Sequence, residues 1–123
     1  MMGKVLVIED NSANRTLVRR ILEAEGLEVI EAENAGTGIA LAKELTPDLI
    51  LMDLSMPELD GLAATRTLRQ IPALQAVPIV ALTANVMPEE RTRALQVCDG
   101  YIPKPIDVDR FPLEVQHYLR RGG

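Results

Sequence analysis

Residues 49–57 read LILMDLSMP, an apolar run that ends in a single carboxylate, Asp53. The run is short, lacks the 3.6-residue period of a helix and lies between Pro47 and Pro57, so it predicts a strand buried on both faces. Asp53 would then lie where this strand leaves the sheet. Ligands and reactive groups collect at the carboxyl end of the strands in a parallel α/β sheet. We therefore expect the functional site to be organised around Asp53.

Strand-like and helix-like segments alternate on both sides of this run. Short apolar segments rich in β-branched residues predict the strands, and apolar residues three and four apart predict the helices. Two glutamates in the second strand and a proline in the last one indicate the two edges of a sheet. The predicted strands are residues 5–8, 27–32, 49–53, 78–83 and 100–105.

Capping residues indicate where the first two helices begin and end. Asn11 or Ser12 can cap the first helix, and Gly26 is suited to end it. Asn34 can cap the second helix, which should end before Pro47 because the residue preceding a proline disfavours the α region.

Prolines indicate the start of the later helices. A short third helix is predicted over residues 62–68. The fourth helix is predicted to begin at Pro88, because a proline followed by two glutamates is typical of a first helical turn. Pro112 in the last helix is tolerated only in the first turn, where its missing amide has no intrahelical partner. This argument favours Asp109 over Asp107 as the N-cap of that helix.

Five strands that alternate with five helices predict an α/β fold with an open, doubly wound parallel sheet and helices on both faces. The strand order 2-1-3-4-5 places the two polar or proline-containing strands at the edges. The same order puts the topological switch point between strands one and three. The length predicts one domain, residues 1–123, that can bury a core without disulfides.

Composition excludes several classes of protein. The net charge of −5 argues against a nucleic-acid-binding surface, so the pair Arg19-Arg20 is interpreted as a solvated helix face. No apolar run approaches the roughly 20 residues of a membrane span. The single cysteine, Cys98, fits a reducing compartment, and the amino terminus leaves no room for a signal peptide. A cytoplasmic location with no membrane contact is expected.

The topology brings polar residues from four strand ends together. Glu9, Asp10 and Asp53 would share one crevice, with Thr83 and Lys104 beside it. Carboxylates repel each other by about 4 kcal/mol per pair at about 4 Å if the effective dielectric is near 20, so the site needs a cation. Oxygen ligands suit Mg²⁺ or Mn²⁺ better than Zn²⁺.

A bound cation and a lysine ammonium together form an electropositive seat for a phosphoryl group. Lys104 would supply the ammonium, and Asp53 would be the nucleophile that accepts the phosphoryl group as an acyl phosphate. The hydroxyl of Thr83 could bind a phosphoryl oxygen.

These residues resemble the site of receiver domains in bacterial two-component response regulators, including the single-domain chemotaxis type. The resemblance covers essentially the whole chain. It implies that Glu9 and Asp10 bind the metal together with Asp53, and that the backbone carbonyl of Ser55 completes the metal site. It further implies that Lys104-Pro105 is the family's lysine-proline pair, often joined by a cis peptide.

The same resemblance implies the donor and the output. The donor would be a phosphohistidine on a histidine kinase or a histidine phosphotransfer domain. Thr83 would engage the phosphoryl group while Tyr101 swings inward, changing the surface of the fourth helix, fifth strand and fifth helix for an unidentified downstream protein. A homodimer is left open. Only phosphoryl uptake and autodephosphorylation are expected, with no turnover of external substrates.

Two alternatives share parts of this pattern. A phosphatase of the haloacid dehalogenase type also forms an aspartyl phosphate, but it needs a second aspartate where this chain has Ser55. A flavodoxin-like protein that binds FMN has the same topology, since a fold does not fix a function. Here, however, acids follow the first strand instead of a glycine- and hydroxyl-rich phosphate loop.

Overall fold

The computed structural model describes residues 3–54, 61–84 and 88–122. Strands and helices alternate as predicted, and no helix in these ranges is long and apolar enough to cross a bilayer. The strands are β1 (Lys4–Ile8), β2 (Glu28–Ala32), β3 (Leu49–Asp53), β4 (Ile79–Thr83) and β5 (Gly100–Pro103). The helices are α1 (Ser12–Ala24), α2 (Ala35–Leu45), α3 (Gly61–Arg69), α4 (Pro88–Val97) and α5 (Phe111–Gly122).

The five strands form one parallel sheet in the order β2-β1-β3-β4-β5, which confirms the predicted topology. Every residue of β3 and β4 is buried, as expected for the centre of a doubly covered sheet. The edge strand β2 is mostly half-buried or exposed. The central position of β3 places its last residue, Asp53, inside the molecule at the carboxyl edge of the sheet.

Alternate residues of each central strand feed two separate apolar layers, because successive side chains in a strand point to opposite faces. One layer lies between the sheet and α2, α3 and α4, and the other lies between the sheet and α1 and α5. The largest fully buried side chains are those of Leu6, Ile8, Leu22, Leu49, Ile50, Leu51, Met52, Leu68, Leu74, Ile79, Leu82 and Phe111.

Side-chain caps fix the starts of the first two helices, as predicted. Asn11 accepts a hydrogen bond from the Asn14 amide at 2.9 Å, and Asn34 accepts one from the Thr37 amide at 2.8 Å. Gly26 follows α1 with φ of 82°, a left-handed conformation that glycine adopts without a steric penalty.

The predicted cap of α5 is wrong. The Asp107 carboxylate, not that of Asp109, accepts the free amides of this segment, from Asp109 at 2.9 Å and from Arg110 at 3.2 Å. These bonds close a turn, and α5 itself begins at Phe111. Pro112 is therefore the second helical residue, where no intrahelical partner is lost. The late start of the helix agrees with the prediction, and the turn that precedes it is an additional feature of the structure.

Close contact between α2 and β1 depends on Gly38. A Cβ atom at this position would lie 2.4 Å from Cδ1 and 2.6 Å from Cγ1 of Ile8, which is fully buried. A Cβ at Gly36, two residues earlier in α2, would meet only Asn34 Oδ1 at 3.5 Å. Packing therefore requires a glycine at position 38 but not at position 36.

Gly38→Ala is expected to lower the free energy of unfolding by about 1–2 kcal/mol, because overpacking costs about 1–3 kcal/mol and the gain in helix propensity offsets up to about 1 kcal/mol. Urea denaturation measures the change. Gly36→Ala is the matched control and should not destabilise the protein. Equal stability of the two variants would contradict the packing argument.

The guanidinium of Arg69 links several segments at the amino end of the sheet. Arg69, the last residue of α3, donates to Val77 O at 2.9 Å and to Val97 O, at the end of α4, at 3.3 Å. It also pairs with Asp99, whose carboxylate accepts the Ile79 amide at 2.7 Å. The carboxyl ends of α3 and α4 are thus joined to each other and to β4.

Cys98 follows α4 and is the one free cysteine, buried in the layer beneath α4. Burial raises the pKa of its thiol to about 11, so the thiol is protonated at neutral pH. This environment agrees with its interpretation as a small apolar core residue.

Candidate functional site

The predicted site residues lie at the carboxyl ends of neighbouring strands. Glu9 directly follows β1 and Asp53 ends β3, and the parallel register pairs the residue before each of them, Ile8 with Met52. Thr83 ends β4, and Lys104 directly follows β5. The sheet therefore brings these side chains to one edge although Glu9 and Lys104 are 95 positions apart in the sequence.

The centre of the site is an ion cluster in which one ammonium serves two carboxylates. Lys104 Nζ lies 3.0 Å from Asp53 Oδ1 and 3.0 Å from Glu9 Oε2. Both carboxylate side chains are only 1% exposed, and the lysine side chain is 13% exposed. Since an unpaired buried charge is costly, the lysine is what makes the two buried acids tolerable.

A third carboxylate completes an acidic group around this cluster. Glu9, Asp10 and Asp53 each offer one oxygen, and these oxygens lie within 4.8 Å of one another. Asp10 is exposed and marks the solvent side of the group. Three carboxylates facing one ammonium leave an excess of negative charge, and an all-oxygen set of this kind suits a hard divalent cation. The fourth predicted ligand, the carbonyl of Ser55, lies outside the described residues.

Burial changes the proton affinities within the cluster. Burial raises the pKa of Glu9 above its ordinary value, and the hydrogen bond from Lys104 opposes this only in part. Burial alone would lower the pKa of Lys104, but its contacts with Asp53 and Glu9 outweigh that effect and raise it. The raised pKa keeps Lys104 in its positively charged form, which is the form that attracts anions.

Hydrogen bonds hold both backbone polar groups and one carboxylate oxygen of Glu9. Its amide donates to Ala32 O of β2 at 3.0 Å, and its Oε1 accepts from the Asn11 amide at 3.2 Å. Its carbonyl oxygen accepts from Arg15 Nη1 at 2.8 Å. Sequence reasoning missed Arg15, because an arginine in the first turns of an amphipathic helix looks like an ordinary surface residue.

Arg19 lies on the predicted solvated face of α1, with its side chain 38% exposed, but it also has an ion-pair partner that was not predicted. Its Nη1 lies 2.7 Å from Glu31 Oε2, while Arg15 Nε lies 3.2 Å from the other oxygen of the same carboxylate. Two arginines of α1 thus hold one glutamate of the edge strand β2. The glutamates in β2 did carry a signal, since an acid on a half-buried edge strand usually has a basic partner.

The remaining predicted residues lie on the last two strands. The Lys104 amide donates to Thr83 O at 2.8 Å, and Thr83 is 8% exposed. Tyr101 is half-buried and packs against the apolar layer beneath α2, α3 and α4. The Lys104–Pro105 peptide bond is cis. The geometry therefore places Thr83 beside Lys104 in the backbone, and Tyr101 two strand positions before the end of β5.

Comparison with known proteins identifies the class. The family model described as "response regulator receiver domain" matches residues 5–116. The chain belongs to the response regulator receiver domain family. This membership favours the signalling interpretation over the phosphatase and the flavin-binding alternatives.

Individual relatives support this membership along almost the full length of the chain. The chain is 41% identical, over 120 residues, to the polar-differentiation response regulator DivK of Brucella anthropi, covering 97% of this chain and 98% of that protein. The chemotaxis protein CheY4 of Vibrio cholerae superposes with a TM-score of 0.91 at 27% identity, covering 96% of this chain and 99% of that one.

A further solved structure bears on the metal. The receiver domain of the sensor histidine kinase PA1611 from Pseudomonas aeruginosa superposes with a TM-score of 0.88 at 31% identity. It covers 98% of this chain and 99% of that chain, and it contains a magnesium ion coordinated in the active site cleft.

Proposed function

We propose that this chain is a phosphoacceptor signalling domain, spanning residues 1–123, that takes a phosphoryl group onto Asp53. The observation that carries the proposal is the ammonium of Lys104, which lies 3.0 Å from both Asp53 and Glu9 within a group of three carboxylates. A purely structural ion pair needs one acid for one base. The surplus acids make sense if the site binds a cation and an electrophile.

The reaction is a transfer from nitrogen to oxygen. An oxygen of Asp53 attacks phosphorus, forming an O–P bond as the P–N bond of a donor phosphohistidine breaks, and the donor imidazole takes the electron pair and then a proton from water. The ammonium of Lys104 and the hydroxyl of Thr83 bind phosphoryl oxygens. Because Lys104 is fixed before the reaction, its charge is positioned without reorganisation as the negative charge arrives.

Glu9, Asp10, Asp53 and the backbone carbonyl of Ser55 are the proposed ligands of Mg²⁺ or Mn²⁺. When bound, this cation would offset the carboxylate repulsion and polarise the phosphoryl group. The carboxylates support this assignment by their mutual distances, and the magnesium in the related PA1611 domain supports it by analogy. In the absence of the cation, Lys104 is the group that balances the two buried acids.

The proposed partners follow from this chemistry. A histidine kinase or a histidine phosphotransfer domain would donate the phosphoryl group in the cytoplasm, and a downstream protein would read the result. The new charge of about −1.5 to −2 can shift an equilibrium only if one conformation offers it better contacts. Contact with Thr83 would supply this difference, and Tyr101 would transmit it to the surface of α4, β5 and α5.

Asp53→Asn is expected to abolish phosphoryl uptake completely, because an amide cannot act as the acceptor. Intact mass measured after incubation with acetyl phosphate and Mg²⁺ should show one added phosphoryl group on the wild type and none on the variant. Asp109→Asn, at an exposed aspartate, is the matched control and should be modified like the wild type.

Two outcomes would contradict the proposal. One is a variant that is modified as fully as the wild type. The other is a wild type that remains unmodified by both acetyl phosphate and a phosphorylated histidine phosphotransfer domain. Continuous release of phosphate from a generic phosphoester would instead indicate the phosphatase alternative.

Thr83→Ala is expected to retain phosphoryl uptake but to lose most of the conformational response, since the methyl group cannot bind a phosphoryl oxygen. Amide hydrogen exchange in α4 and β5, compared before and after phosphorylation, measures that response. A variant whose exchange changes as much as that of the wild type would rule out this hydroxyl as the switch.

A further inference from the structure

A chain of contacts links the edge of the sheet to the acidic pair. Glu31 on β2 accepts a hydrogen bond from Arg15 Nε at 3.2 Å, and Arg15 Nη1 donates to the Glu9 carbonyl oxygen at 2.8 Å. The Arg15 side chain is 18% exposed and that of Glu31 is 28% exposed. These contacts are therefore sheltered from water more than an ordinary surface ion pair is.

The acceptor of this hydrogen bond has a specific position. The Glu9 carbonyl belongs to the peptide unit that joins Glu9 to Asp10, the two consecutive acids of the site. Because a peptide unit is planar, fixing its carbonyl oxygen fixes the orientation from which both side chains leave the backbone. The amide of Glu9, on its other side, is already held by β2.

Arginine suits this task better than lysine would. Its planar fork donates in two directions at once, so one side chain can bind the carboxylate of Glu31 and the carbonyl of Glu9 together. Arg19, bound to the second oxygen of Glu31, holds that carboxylate in place without contacting Glu9. Both arginines bind Glu31, but only Arg15 also donates to the backbone of the acidic pair, whereas Arg19 also lies 3.9 Å from Glu23.

We propose that Arg15, held by Glu31, is a positioning residue that orients Glu9 and Asp10 and thereby sets the affinity of the site for a divalent cation. This inference rests on the metal site of the proposed function. It assigns a role to a residue that is not itself among the proposed ligands.

The sign of the effect separates positioning from simple electrostatics. Arg15 carries a positive charge close to the acidic pair, so removing that charge should strengthen cation binding by Coulomb's law. If Arg15 instead acts by orienting the ligands, its removal should weaken cation binding. The two mechanisms therefore predict opposite changes.

Titration calorimetry with Mg²⁺ tests the proposal without relying on phosphorylation. Arg15→Met should weaken Mg²⁺ binding by about tenfold or more, the usual effect of losing a group that orients a metal ligand. Arg19→Met, the matched control, removes an equal charge from the same helix and the same glutamate, and should leave the affinity near that of the wild type. Glu31→Gln should weaken binding less than Arg15→Met does.

A second readout separates positioning from loss of the fold. Phosphoryl uptake by Arg15→Met should need more Mg²⁺ but reach the wild-type rate at saturation, and Arg15→Lys should restore only part of the affinity. If Arg15→Met does not fold, Glu31→Gln carries the test. Unchanged or tighter Mg²⁺ binding in Arg15→Met, or an equal loss in Arg19→Met, overturns the inference. A wild type that binds no Mg²⁺ contradicts the proposed metal site instead.

Discussion

Lys104→Met is expected to lower the free energy of unfolding by about 3–5 kcal/mol in metal-free buffer, the usual cost of removing one partner from a buried ion pair. The reason is that Glu9 and Asp53, each 1% exposed or less, would lose the ammonium that lies 3.0 Å from both. Urea denaturation in the presence of a chelator measures the loss. Saturating Mg²⁺ should recover part of it, since the cation would bind the same acids.

Lys4→Met is the matched control for this variant. Lys4 lies at the opposite end of the sheet, where its Nζ contacts the backbone oxygen of Leu45 at 3.4 Å. Loss of that single contact should change stability by less than about 1 kcal/mol. A Lys104→Met protein as stable as this control would mean that the buried acids do not depend on the ammonium.

Glu9→Gln is expected to change stability in opposite directions with and without the cation. In a chelator the variant should be more stable than the wild type by about 1–2 kcal/mol, because functional sites hold repulsion that neutral substitutions relieve. The remaining acid, Asp53, would keep Lys104 as its partner. With Mg²⁺ the order should reverse, because the variant has lost one charged ligand and gains less from binding.

Thermal unfolding with Mg²⁺ and with a chelator measures both effects of this substitution. Glu44→Gln, at an exposed glutamate of α2, is the control and should respond to Mg²⁺ like the wild type. A Glu9→Gln protein whose unfolding temperature rises with Mg²⁺ as much as that of the wild type would remove Glu9 from the proposed ligands.

The topology of this protein can be predicted from its sequence because the position of a strand in the sheet determines its burial, and burial determines how apolar the strand is. The uninterrupted apolar runs that became β3 and β4 could only lie at the centre of the sheet, and the glutamates of β2 could only lie at an edge. The helix caps Asn11 and Asn34 were equally readable, since their effect is local.

Two local features were not predicted correctly. The cap of α5 was misplaced because the sequence offers two aspartates that can both act as caps, and the structure uses Asp107, whose carboxylate accepts the amides of Asp109 and Arg110. A short 3₁₀ turn at Pro72–Leu74 was not foreseen either.

In the site, too, some residues could be predicted from the sequence and others could not. The residues at the strand ends were predicted because the sheet order alone brings them together, and the structure places Glu9, Asp53 and Lys104 in contact. Arg15 was missed because its role depends on a carbonyl group, and every residue has one. No residue type in the sequence marks a carbonyl that needs a donor.

The contacts made by Arg69 restrict the movement of one end of α4. One end of that helix is fastened to α3 and to the loop before β4 through Val97 and Asp99, whereas its other end begins at Pro88, five residues after the threonine of the site. If phosphorylation changes α4 as proposed above, the end near Val97 should move less than the end near Pro88, because Arg69 holds the former. Amide hydrogen exchange rates in α4 should then change more on phosphorylation near Pro88 than near Val97. The part of the helix that responds would thus be the part nearer the site.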